Sequence, residues 1–246
     1  MPSSPSRQAE RQDRLGRLIE RPFAHRGLHG GGRIENSRAA FEAAIAAGHG
    51  IELDVQASRD GEAVVFHDAE LGRLTGVSGR VAERSAAELG RIRLTGSNET
   101  IPTLAQALAL IAGRTGLLIE LKAPERRADA LSGAVARSLA GYKGPVAAMS
   151  FNPEAVRWFA RHEPERLRGL VVTEAGRRWR GSLARRLAWW RARPDFLAYD
   201  LRDLPSAFAA ARRADGVPVL TWTCRSDSDW ARGGEHADQI IYEAAA

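Results

Sequence analysis

The chain has 246 residues, 44% hydrophobic and 27% charged, with 24 Gly, 11 Pro and one Cys. At roughly 150 residues per domain this is one or two domains, or a single α/β barrel; the lone Cys224 excludes a disulfide framework and a multi-cysteine zinc site. No stretch approaches about 18 uninterrupted apolar residues, which excludes a transmembrane helix. The net charge of +6 admits anionic partners, but it is spread along the chain rather than gathered in one block, so neither nucleic acid nor stable membrane insertion is expected.

Residues 1–20 read as a mobile, polar leader with a short helix, and residues 21–246 as one domain. The leader has no apolar h-region of a secretory signal, and the expected compartment is the cytoplasm. From Arg21 onward short apolar runs alternate with Ala-rich helical stretches. Strands are predicted at Phe23–Arg26, Ile51–Val55, Ala63–His67, Leu117–Lys122, Val146–Phe151, Gly169–Thr173, Phe196–Asp200, Val219–Thr223 and Gln239–Tyr242. Helices are predicted at Ser37–Ala47, Leu104–Ala112, Arg127–Leu139, Pro153–Arg161, Leu183–Arg191, Ala207–Ala214 and Ser228–Arg232. Asn36 is placed to cap the first of these, and Asn152-Pro153 puts Pro at a first helical position. Such alternation predicts parallel βα units closed into an α/β (β/α)₈ TIM barrel. An open doubly wound sheet is the other architecture it allows, and the absence of GxGxxG and GxxxxGK[ST] weakens its nucleotide-binding forms.

Nine strands are one too many for eight barrel positions. The second and third are separated by only seven residues, too few for a parallel crossover, and Asp60-Gly61 is a strong two-residue hairpin turn. With that turn Arg59 faces Glu62, and the register sets Asp54 opposite His67. Residues from about 68 to 102 lack a clear alternation and are expected to form a small insertion on the upper face of the barrel.

The chemistry-bearing residues fall at strand ends. Glu52 and Asp54, two apart in IELDV, share one face of a strand, and two carboxylates aimed into one interior repel unless a cation compensates. Either structural ion pairs or a site for a hard cation such as Mg²⁺ or Ca²⁺ answers that need. A third acid, Glu120, sits in LLIELK with Lys122 on the same face. Lys122 is one of two lysines among 36 basic residues, which points to a need for a compact point charge. His25 and Arg26 end the first strand, where barrel enzymes keep their chemistry, and Gly27 would let a substrate approach the backbone. His67, followed by Asp68, returns across the hairpin. Three carboxylates, two imidazoles and two cations are an inventory for phosphodiester hydrolysis: a metal and cations to stabilise phosphoryl charge, one His to remove a proton and one to donate it.

The segments FAHRG, IENS, IELDV, DGEAVVFHD, LTG, IPTLAQAL, LLIELK and SFNPEAV, in this order from about Pro22 to Ile241, resemble the glycerophosphodiester phosphodiesterase family. The resemblance implies a barrel with a small insertion after the HD motif, a divalent cation (Mg²⁺ or Ca²⁺), and hydrolysis of deacylated phospholipid headgroups to sn-glycerol 3-phosphate and an alcohol. Carried over by residue, Glu52, Asp54 and Glu120 are metal ligands, His25 and His67 the acid–base pair in either order, and Arg26 and Lys122 hold the phosphate. Glu35 belongs to the family's EN motif, with Asn36, and Trp222 lines the substrate pocket. Two late motifs depart from the family: Cys224-Arg225 stands where an apolar residue and Asn are usual, and ADQIIYE where GIITD is usual, so Tyr242-Glu243 bears on which alcohol the pocket accepts. A related phosphodiesterase acting on lysophospholipids (lysophospholipase D type) and a non-hydrolytic anion-binding barrel are the alternative functions. The segment Arg177–Arg193, basic with three tryptophans, reads as an outer helix; its adjacent Trp189 and Trp190 cannot both face the core. Cys224 reads as a small interior hydrophobe, and His29, His49, His162 and His236 lack supporting neighbours.

Overall fold

The computed structural model describes residues 5–124, 128–174 and 179–244. Eight parallel strands close into a barrel: β1 (Phe23–Ala24), β2 (Gly50–Ala57), β4 (Leu117–Leu121), β5 (Val146–Ser150), β6 (Leu167–Val172), β7 (Phe196–Asp200), β8 (Val219–Cys224) and β9 (Gln239–Tyr242). Closure comes from β1, which pairs in parallel with both β2 and β9. Because β1 meets both neighbours, Ala24 lies beside Ile51 on one side and Tyr242 on the other. The expected TIM barrel is thus observed.

The extra strand β3 (Ala63–Val65) pairs antiparallel with β2, as its short connection required, but the register differs from the expected one. Val55 faces Val65 and Ala57 faces Ala63, so the loop is three residues, 59–61, rather than two. Ser58 closes it: its amide donates to Glu62 O (2.9 Å), and its hydroxyl donates to Asp60 Oδ1 (2.6 Å) and accepts from the Glu62 amide (3.0 Å). Gly61 takes φ +81°, which a glycine adopts without steric cost. That one-residue slip puts Phe66, whose amide donates to Asp54 O (3.0 Å), where His67 was expected, and leaves His67 just beyond the strand.

Two apolar layers follow from strand alternation. Residues Ile51, Leu53 and Val55 of β2 face outward against the helical shell, including α2 (Arg38–Ala46), α5 (Leu104–Ile111), α6 (Ala128–Ser138) and α7 (Pro153–His162). The barrel interior is a second cluster built on Phe23, Leu118, Met149, Val171, Phe196 and Leu220. Residues 66–102 carry short helices, α3 (Gly72–Thr75) and α4 (Ala86–Leu89), over a small cluster of their own that includes Phe66, Leu71, Val81 and Leu89.

The first residues differ from the expected mobile leader. Helix α1 (Pro5–Leu18) lies at the N-terminal end of the strands, and Leu15 and Leu18, each 2% exposed, join the barrel-interior cluster. Arg11 fixes it from the side through Asp195 (2.5 and 2.6 Å) at the entry to β7 and the carbonyls of Pro164 and Arg166. A polar helix of this kind is stabilised by docking two leucines rather than by its own propensity. The proposed start of the third predicted helix at Arg127 and the stretch Arg177-Arg178 fall outside the described residues. No helix among the described residues is long and apolar enough to cross a membrane.

Candidate active site

At the C-terminal ends of the strands a cavity of about 420 Å³ opens, lined by His25, Arg26, Glu52, His67, Glu120 and Lys122 on one side and by Phe151, Trp222 and Arg225 on the other. Its floor is acidic. Glu52, Asp54 and Glu120 project inward from β2 and β4, which pair in register with Asp54 beside Glu120. One ligand oxygen from each lies within 4.8 Å of the others, and all three residues are buried. Glu52 Oε1 and Asp54 Oδ1 accept no hydrogen bond among the described residues, although Lys122 Nζ lies 2.9 Å from the latter. Buried carboxylate oxygens without donors are costly, and an all-oxygen set of this size fits a hard divalent cation.

The protonation pattern follows from burial and neighbours. Burial, together with the charges of Asp54 and Glu120, pushes the Glu52 carboxyl well above its usual range. Asp54 is as deeply buried, yet Lys122 and Arg26 overcome that cost and hold it below. Burial raises Glu120 against the pull of Lys122. Lys122 bridges the pair, with Nζ 2.5 Å from Glu120 Oε1, and despite its burial these carboxylates keep it protonated.

Arg26 turns back over the cluster from a left-handed backbone (φ +56°). Its amide donates to Glu52 Oε2 (3.0 Å), and its guanidinium lies 3.2 Å from Asp54 Oδ2 and 2.9 Å from Glu35 Oε1. Glu35 itself does not line the cavity; it clamps Arg26 and Arg73 together, so any effect on a substrate passes through Arg26. Gly27 is required by packing rather than by ligand approach: at φ +77° a Cβ there would lie 2.8 Å from that of Ala40.

The two imidazoles are each fixed by a carboxylate and an arginine. The His25 Nδ1–H donates to Glu243 Oε1 (2.6 Å), because an ionised carboxylate can only accept, which turns Nε2 toward Glu52 (3.9 Å). Arg225 in turn donates to both oxygens of Glu243 (2.7 and 3.0 Å). The His25 hydrogen bond, with help from Arg225, holds Glu243 well below the usual carboxylate range, while burial lowers His25 itself against that partner. His67 is built the same way: Nδ1 donates to Asp68 (2.7 Å), and Arg73 donates to both Asp68 oxygens. Chiefly through that Arg73 contact, Asp68 is lowered to about 2.

Several of these partners were not assigned from sequence. Glu243 and Arg225, the two departures noted in the late motifs, are here a single ion pair. Asn36 was expected to cap α2, but Ser37 caps it, accepting from the Ala40 amide (3.2 Å). Asn36 instead donates through Nδ2 to Asp54 Oδ2 (3.0 Å) and accepts from the Asp54 amide at 3.3 Å. Its φ is positive (+58°), a conformation Asn tolerates. Gln56 Nε2 donates to the carbonyls of Phe66, His67 and Asp68, pinning the HD segment beyond β3. Trp222 lines the cavity, its Nε1 donating to Ala198 O (3.0 Å) and its ring meeting Phe151 edge-on at 5.6 Å.

The chain matches the model of the glycerophosphoryl diester phosphodiesterase family over residues 25–239. It is 40% identical over 108 residues to a Bacillus altitudinis glycerophosphodiester phosphodiesterase, covering 41% of this chain and 43% of that one. A Mycobacterium tuberculosis protein named a probable glycerophosphodiester phosphodiesterase is 31% identical over 204 residues, 81% of this chain and 71% of its own length. The matched stretch therefore spans less than half of the first relative. Among solved structures, an Oleispira antarctica phosphodiesterase in complex with the product sn-glycerol-3-phosphate superposes with a TM-score of 0.79 at 26% identity, over 92% of this chain and 93% of that one.

Proposed function

Because the chain belongs to the glycerophosphoryl diester phosphodiesterase family, we propose that it hydrolyses glycerophosphodiesters to sn-glycerol 3-phosphate and an alcohol. The observation that carries this reading is the convergence of three buried carboxylates, two cationic side chains and two carboxylate-held imidazoles on one cavity at the strand ends. Glu52, Asp54 and Glu120 would hold a divalent cation, Mg²⁺ or Ca²⁺, which when bound draws negative charge off the phosphoryl oxygens. Arg26 and Lys122 hold the anionic phosphodiester against that floor. One imidazole takes the proton of the attacking hydroxyl, either from water, which gives sn-glycerol 3-phosphate directly, or from the substrate's own glycerol, which gives a cyclic phosphate that water then opens. The other protonates the departing alcohol as its P–O bond breaks. Glu243 and Asp68 act through the histidines: each fixes a ring with the proton on Nδ1, leaving Nε2 for the reaction.

The test is release of sn-glycerol 3-phosphate from glycerophosphocholine and glycerophosphoethanolamine, after chelation and again with Mg²⁺, Ca²⁺ or Mn²⁺ restored. Metal-restored release is expected. No release from either substrate with any of the three metals would overturn the assignment. A second substrate class, lysophospholipids, is favoured by Phe151, 44% exposed beside Trp222 at the cavity mouth, where an acyl chain would find apolar contact. Relatives named lysophospholipase D in rat and mouse match 79 residues at 39% identity.

A further inference from the structure

Helix α8 (Trp179–Ala192) carries a feature that the phosphodiester site does not use. Its inner side packs through Trp189, whose ring meets Phe208 edge-on at 6.5 Å. Its outer side presents Leu183, Leu187 and Trp190, exposed by 69%, 56% and 69%. Spacings of four and three place them on one stripe. Three of the five large hydrophobic side chains exposed among the described residues thus lie on this one helix. Single exposed apolar residues are ordinary, whereas a contiguous patch marks a contact surface.

The surroundings of the stripe say which contact. Trp190 stands in a cleft of about 300 Å³ whose other walls include Arg157, Arg161, Arg191 and Arg193. Glu154 pairs with Arg157 (3.5 Å) and Arg191; Arg161, Arg193 and the neighbouring Arg186 form no ion pair among the described residues. A two-fold contact with a second copy would set this arginine cluster against itself, with Glu154 the carboxylate available to offset it. An anionic bilayer offers the complement on both counts: phosphates for the arginines and an apolar layer for Leu and Trp.

We infer that this face docks on an anionic lipid surface, with Leu183, Leu187 and Trp190 entering the headgroup layer and the arginines pairing with lipid phosphates. The inference does not rest on the proposed activity and is tested apart from it, by co-sedimentation of the whole protein with vesicles. Phosphatidylcholine vesicles containing phosphatidylglycerol are expected to bind it, pure phosphatidylcholine vesicles to leave it in solution, and added salt to weaken the binding. Leu183→Ser/Leu187→Ser/Trp190→Ser, and separately Arg161→Glu/Arg193→Glu, are each expected to lower binding by about tenfold or more. Release of sn-glycerol 3-phosphate from a water-soluble glycerophosphodiester should be the same in all three proteins, and circular dichroism checks that the variants are folded. Binding indifferent to phosphatidylglycerol, or folded variants that bind like wild type, would overturn the inference. So would a wild-type dimer in sedimentation velocity that the triple variant disperses, which would give the face to a second copy.

Discussion

Two imidazoles face one cavity, and the two are held in different ways. The partner of His67 is the next residue, Asp68, so a local turn makes the pair, and both remain partly open to water with side chains 30% and 25% exposed. The partner of His25 lies 218 residues away. That pair exists only because closure of the barrel sets β1 beside β9, Ala24 against Tyr242, which carries His25 next to Glu243. The histidine there is 11% exposed. A local pair tolerates rearrangement of its surroundings; a pair made by barrel closure and burial depends on the fold and loses more when one partner fails, since a buried group left unpaired costs more than an exposed one.

The largest expected effect removes what the two arms share. Glu52→Gln takes a carboxylate from the floor beneath both histidines and should abolish metal-restored turnover. In the presence of chelator its thermal midpoint should equal or exceed that of wild type, because two buried carboxylates no longer face a third. A clearly lower midpoint would show that Glu52 is needed for the fold itself. Next, His25→Ala and His67→Ala should each lower kcat by about 10²–10⁴-fold, the usual worth of a positioned acid or base, with the circular dichroism spectrum unchanged. Retained turnover in both would remove the acid–base assignment.

The sharper contrast comes from the carboxylates. Glu243→Gln should lower kcat by about 100-fold with little change in KM, because an amide no longer fixes the productive tautomer of a buried ring. Asp68→Asn should cost about tenfold, since water can reorient the more exposed His67 ring. Steady-state kinetics on the same soluble substrate decides it. Equal losses would mean that burial and sequence distance do not matter to these pairs.

The same contrast explains what was legible in the sequence. The strands read clearly because barrel strands buried on both faces are near-continuous apolar runs, and Glu52, Asp54 and Glu120 stood out as acids within them. Asp68 was visible because it adjoins His67. Glu243 was visible only as an oddity of the last motif, and Arg225 as another, because nothing local says which residue past the last strand will meet His25 once the barrel closes. The Asn36–Asp54 contact was hidden for the same reason, behind a plausible cap two residues before α2. The hairpin register failed by one residue because Asp60-Gly61 fits a two-residue turn, and the Ser58 hydroxyl that selects the three-residue loop acts only once the strands meet. Helix α1 misled because its sequence is polar apart from a few leucines, and it is the open end of a barrel that makes Leu15 and Leu18 buried residues.

The smallest expected effects lie one step further out, at the arginines. Arg73 and Arg225 each grip the carboxylate that grips a histidine, and neither touches the ring. Removing either should lower kcat only a few-fold, as exposed charges contribute little. The titration of Asp68 is the more direct reading. In wild type its carboxyl is lowered to about 2 from its ordinary value of 3.8, first by the Arg73 hydrogen bond and also by His67. The stability it contributes is therefore present above about pH 4 and lost as the pH falls toward 2. In Arg73→Ala the midpoint should rise toward the unperturbed value, narrowing that window, as carboxyl carbon shifts in NMR would record. Because His67 still donates to the same carboxylate, the return should be partial. A midpoint that does not move would place the whole depression on the histidine, and the local arm would then hold itself without its arginine.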